Sequence, residues 1–119
     1  MAIEIPGIDA ATGLGLCDGD MHIYLNALRL YVNSIPANLE KMKGVSPETL
    51  ADYGITIHSV KSMSQYIGAE EVRKTAKQLE VLAKNGNLAG ILAQNDAFIQ
   101  YAQGIVAGVQ GWLAKNHPN

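Results

Sequence analysis

Few side chains in this sequence of 119 residues combine a reactive type with a telling spacing, and most lie in His58-Ser-Val-Lys-Ser-Met-Ser-Gln-Tyr-Ile-Gly-Ala69. A neutral imidazole carries a free nitrogen lone pair and has a reference pKa of about 6.5, which suits reversible acceptance of a phosphoryl group near neutral pH. Phosphoryl transfer needs positioning and charge neutralisation more than covalent help from the protein. On a helix, Lys61 at i+3 is a surface neighbour of His58, and its ammonium is expected to reach a group carried there. Gln65, two turns on, is a further candidate for bonding that group or a partner's backbone. Taken singly, each has a plainer reading: a helix histidine is ordinarily a surface residue or the partner of a carboxylate, and a lone lysine is a solvated charge.

The pattern around the histidine predicts the helix that would present it. Leu50, Tyr53, Ile57, Val60 and Ile67, with small Ser64 in the remaining slot, recur at alternating steps of three and four, the buried stripe of an amphipathic helix. At about 100° per residue, His58 is turned roughly 130° from the centre of that stripe and should face water. Gly54 lies one turn before it and Ser62 one turn after, leaving room for a docking partner. Gly54 also fits close approach of a neighbouring helix, at a cost of about 1 kcal/mol relative to alanine.

These residues resemble the signature of the histidine-containing phosphotransfer (HPt) domain. In that family the histidine is followed by lysine at +3, by glycine at +4 and by a Gly-Ala pair at +10 and +11. His58, Lys61, Gly68 and Ala69 match, and Ser64 and Ile67 suit the small and apolar slots between; Ser62 departs from the usual glycine. Ile5-Pro-Gly-Ile-Asp9, the Gly13-Leu14 pair and the Gly19-Asp20 helix start also look like the entry to such domains, so the resemblance covers nearly the whole chain. It implies a phosphocarrier in a two-component relay, with His58 the phosphoacceptor. The partners implied are receiver domains, whose aspartates give or take the phosphoryl group. No intrinsic cofactor is expected; the Mg²⁺ of the reaction would sit on the receiver. Serine at position 62 could crowd the partner or bond the helix carbonyl one turn back, slowing transfer or making it more selective.

The remaining elements follow from periodicity and punctuation. A short helix is expected from Gly7 to about Leu16, capped by Asp9 and stopped at Cys17-Asp-Gly-Asp20. A long helix should start at Asp20 and reach about Lys43, with Tyr24, Leu28, Tyr31, Ile35, Leu39 and Met42 on one face and a kink or break between Asn33 and Pro36. Ser46 and Pro47 suit the cap and first position of the histidine helix, which Gly68 should end. Glu70 and Glu71 favour the next helix start, and Val72, Ala76, Leu79 and Ala83 form its stripe up to Lys84-Asn-Gly86. The last helix should begin near Asn87 and carry Ile91, Phe98, Ala102, Ile105, Val109 and Trp112. No stretch alternates with period two, and short loops favour antiparallel neighbours. The expectation is an all-α fold: an up-down-up-down antiparallel four-helix bundle with a short extra N-terminal helix, forming a single domain over 1–119.

Composition narrows the function classes. The chain is 48% hydrophobic and 17% charged, with no apolar run near the ~20 residues of a membrane span. Its nine Lys and Arg are scattered and its net charge is -2, which argues against nucleic acid. Cys17 has no second cysteine to pair with and no charged-then-apolar leader follows Met1, so a cytoplasmic home is expected, and the HPt resemblance implies a monomer. His22 and His117 lack companion motifs and read as surface residues, while Tyr53, Tyr66, Phe98 and Trp112 read as core or rim packing rather than a cofactor box. Exposed apolar side chains beside the histidine should form the docking rim, with Leu14, Leu16 and Ile23 as candidates. Two other readings compete. One is an HPt-like binding module that has lost transfer. The other is the dimerisation and phosphoacceptor part of a histidine kinase, which would want an acidic residue where Ser59 stands and a nearby proline. No glycine-rich nucleotide loop is present.

Overall fold

The computed structural model describes residues 3–117, and among them every regular element is a helix. The short α1 spans Ala10–Leu16, and the long helices are α2 (Met21–Met42), α3 (Leu50–Ile67), α4 (Glu70–Lys84) and α5 (Leu88–Asn116). Helix α3 packs against α2 and α4, α5 packs against the same two, and α1 lies on α3 and α2. No helix among the described residues is long and apolar enough to cross a membrane.

Local chemistry sets most of the boundaries. The Asp9 carboxylate accepts from the Thr12 amide, Asp20 accepts from the amides of His22 and Ile23, and Asn87 accepts from Gly90. Each satisfies amides that a helix start leaves unpaired. Helix α2 runs through Pro36 without a break. The start of α3 differs from expectation. Ser46 and Pro47 form no cap and no first turn of helix. Instead the Ser46 amide donates to Thr49 Oγ1 and the Thr49 amide donates to the Ser46 carbonyl, closing a separate turn, and the helix begins at Leu50.

The stripe residues of α2 and α3 fill the core, with Ser64 fully buried among them. Three tyrosine hydroxyls then fix the axial position of α3. Tyr24 donates to the Ile67 carbonyl at 2.8 Å, Tyr31 shares a 2.9 Å bond with Ser64 Oγ, and Tyr53 donates to Asn95 Oδ1 at 2.9 Å. Asn95 in turn donates to the Met42 carbonyl, tying α5 to the end of α2. Burial pushes the Tyr24 and Tyr31 phenols up to about 12 and raises Tyr53 as well, so all three remain protonated at neutral pH. A slip of one residue would turn α3 by about 100° and carry His58 away from its present face.

The far end of α3 is held by a glycine that nothing else could replace. Gly68 has φ +81, and the Ala69 amide reaches back to the Ser64 carbonyl, the left-handed closure glycine favours. The Asp9 amide donates to the Gly68 carbonyl at 2.8 Å, and a Cβ at Gly68 would lie 2.8 Å from the Asp9 carbonyl carbon.

Candidate functional site

His58 emerges on the outer face of α3 with 60% of its side chain exposed, as its rotation from the buried stripe requires. The residue that organises it comes from α4. Glu80 is buried, its side chain 8% exposed, and its two carboxylate oxygens are divided: Oε2 lies 2.5 Å from His58 Nδ1 and Oε1 lies 2.6 Å from Lys61 Nζ. Burial alone raises the Glu80 carboxyl pKa, but the hydrogen bonds and charges of Lys61 and His58 outweigh it and hold the group below its ordinary 4.5. The carboxylate is therefore ionised at neutral pH. It can only accept, so His58 Nδ1 carries the proton and donates.

That assignment fixes the reactive atom. With the proton on Nδ1, a neutral ring has its lone pair on Nε2, which has no hydrogen-bond partner among the described residues. The site thus offers an exposed nitrogen nucleophile whose tautomer is set by a buried carboxylate. A His–Glu pair can also serve as the base of a hydrolytic triad, but no hydroxyl is hydrogen-bonded to the ring among the described residues. Nor do the described residues contain three or more His, Cys, Asp or Glu grouped to hold a metal ion.

Beside the ring is a hollow of about 430 Å³ lined by Gly54, Ile55, His58, Ser59, Glu80 and Lys84, among others. A larger hollow of about 660 Å³ lies along α4 near Arg73, Lys74, Lys77 and Leu82. The smaller hollow is the one that His58 and Glu80 line.

The expected site residues are distributed unevenly around this centre. Lys61 is close to His58 through Glu80, but it is only 22% exposed and already committed to that carboxylate. Gln65 is exposed, and its side chain makes no hydrogen bond among the described residues. Ser62 is half-buried one turn beyond His58. Gly54 lines the hollow, and a Cβ there would meet Ala83 Cβ at 3.8 Å, an ordinary contact that an alanine could make. Leu14 is half-buried against the core, whereas Leu16 and Ile23 are exposed. These three sit on α1 and the first turn of α2, toward the Ile67 end of α3 rather than beside the hollow.

Several residues depart from expectation or were absent from it. Glu80 and Lys84 were not anticipated; the only trace of Glu80 in the sequence is an acid flanking the narrow stripe of α4. Tyr66, 56% exposed, takes the rim position rather than the core, and Ile55, not singled out in the sequence, is 69% exposed. By helical rotation both share the solvent side of α3 with His58. His117, expected at the surface, is half-buried with its ring centroid 5.2 Å from that of Trp112. No protein-family model, no curated protein and no solved structure matches the chain.

Proposed function

We propose that the chain is a histidine-containing phosphotransfer domain: a monomeric, cytoplasmic, antiparallel four-helix bundle with a short N-terminal helix. Its role is to accept a phosphoryl group on His58 from a receiver-domain aspartate and pass it to another. The observation that supports this best is the exposed imidazole whose Nδ1 donates to buried, ionised Glu80. In the forward step the Nε2 lone pair forms the N–P bond while the bond between phosphorus and the aspartyl oxygen breaks, and the electron pair returns to the receiver's carboxylate. The ring then carries positive charge, with the Nδ1 proton still directed at Glu80, whose negative charge stabilises it. Lys61 offsets the charge of Glu80, so that the carboxylate does not repel the incoming anion. Mg²⁺ belongs to the receiver in this scheme.

Docking falls to exposed apolar side chains around the histidine, as expected for a small transient interface with a few anchors. Ile55 and Tyr66 on α3 supply exposed apolar side chains there, and exposed Leu16 and Ile23 lie farther off, toward the Ile67 end of the helix. The test is to incubate the chain and its His58→Gln variant with a phosphorylated receiver domain and Mg²⁺. Acid-labile, base-stable label on the wild type alone supports the carrier. No label from several receivers on a folded, helical protein would refute it in favour of a binding module without transfer.

A further inference from the structure

The charges around His58 leave one cation unassigned. Lys61 is paired with Glu80 at 2.6 Å, so those two groups cancel, and an anion on Nε2 gains no net positive charge from them. Lys84 makes no ion pair among the described residues, stands one turn after Glu80 on α4 and lines the same hollow as His58. Spacing of i, i+4 puts Lys84 and Glu80 on one face of their helix, and that face borders the ring. A four-carbon stem lets the ammonium swing across the hollow with little rearrangement.

We infer that Lys84 is the cation that meets the phosphoryl group on His58, binding its oxygens as charge accumulates there, while Lys61 serves Glu80. The inference rests on the carrier reading. Lys84 also lies in the last turn of α4, where a cation complements the helix dipole. A purely structural role of that kind would alter thermal stability and leave labelling kinetics unchanged.

The test uses phosphoramidate as donor, which removes the unknown receiver: Nε2 forms the N–P bond as the P–N bond of the donor breaks and its electron pair leaves on ammonia. Labelling rates are compared at low and high salt for the wild type and for Lys84→Ala, Lys84→Arg and His58→Gln. Lys84→Ala should label His58 roughly five- to tenfold more slowly at low salt, between the values typical of exposed ion pairs and of charged hydrogen bonds. The deficit should shrink at high salt. Lys84→Arg should restore the rate to within about twofold, because it keeps the charge. If wild type and Lys84→Ala label equally while His58→Gln does not label, the role of Lys84 is refuted and the carrier reading stands. If Arg fails to rescue at unchanged thermal stability, the role is likewise refuted. A wild type that takes no label on His58 overturns the carrier reading and the inference together.

Discussion

The substitution Glu80→Gln should invert the tautomer of His58 while leaving its surroundings nearly the same size. In the wild type, Glu80 accepts from both His58 Nδ1 and Lys61 Nζ. A charge-assisted hydrogen bond contributes about 1.5–3 kcal/mol, and at 1.36 kcal/mol per tenfold this favours the Nδ1–H tautomer by roughly 10- to 150-fold. Glutamine has only one accepting oxygen. The Lys61 ammonium can only donate, so it takes that oxygen and turns the amide NH₂ toward His58 Nδ1. That nitrogen must then accept, and the proton moves to Nε2, the atom that attacks in the proposed transfer. A neutral bond of about 0.5–1.5 kcal/mol tilts the equilibrium about 2- to 13-fold the wrong way, leaving a third to a fourteenth of the ring competent. Labelling by phosphoramidate should therefore slow by about 3- to 14-fold, and ¹⁵N shifts of labelled histidine should report protonated Nε2. The double variant Glu80→Gln/Lys61→Met frees the amide to turn round and should restore the Nδ1–H form. An unprotonated Nε2 in the single variant, or labelling at the wild-type rate, would refute this reasoning.

Three stability predictions follow from the same structure. Asn95→Ala strips the Tyr53 hydroxyl and the Met42 carbonyl of their buried partners and should cost about 2–4 kcal/mol, read by urea or thermal unfolding. In α1, Gly13→Ala would set a Cβ 2.9 Å from the Ile67 carbonyl carbon, whereas a Cβ at Gly15 meets nothing within 4 Å. The first should destabilise by about 1–3 kcal/mol and the second stabilise by about 0.4–1 kcal/mol, so the two melting temperatures should move in opposite directions. The native Glu80 carboxyl pKa is depressed, so its contribution is complete above the 4.5 of an ordinary glutamate and is lost as pH falls through the native value. The stability gap between wild type and Glu80→Gln should accordingly close in acid.

The helices were legible because their information is local. The stripe from Tyr24 to Met42, the stripe around His58 with Ser64 in its small slot, and the caps at Asp9 and Asp20 all rest on residues within four of one another. The exposure of His58 followed from the same periodicity. Where two local signals competed, the reading failed: Ser46-Pro47 has the chemistry of a helix start, but Thr49 Oγ1 captures the Ser46 amide and delays the helix to Leu50. Glu80 was out of reach for a different reason. It meets His58 and Lys61 across separations of 22 and 19 residues, a contact set by how α4 rolls against α3, and no spacing along the chain encodes that roll. Lys61 illustrates the consequence: its i+3 position did bring it to the site, but the carboxylate from the neighbouring helix took the charge that spacing alone had assigned to the phosphoryl group.

The central claim is that His58 accepts a phosphoryl group at Nε2 because Glu80 holds the proton on Nδ1. The most direct measurement is to phosphorylate ¹⁵N-histidine-labelled protein and locate the phosphorus by ³¹P and ¹⁵N NMR. The account predicts one phosphohistidine, at position 58, bonded through Nε2 with Nδ1 still protonated. Phosphorus on Nδ1, on His22 or His117, or on no histidine at all would contradict it.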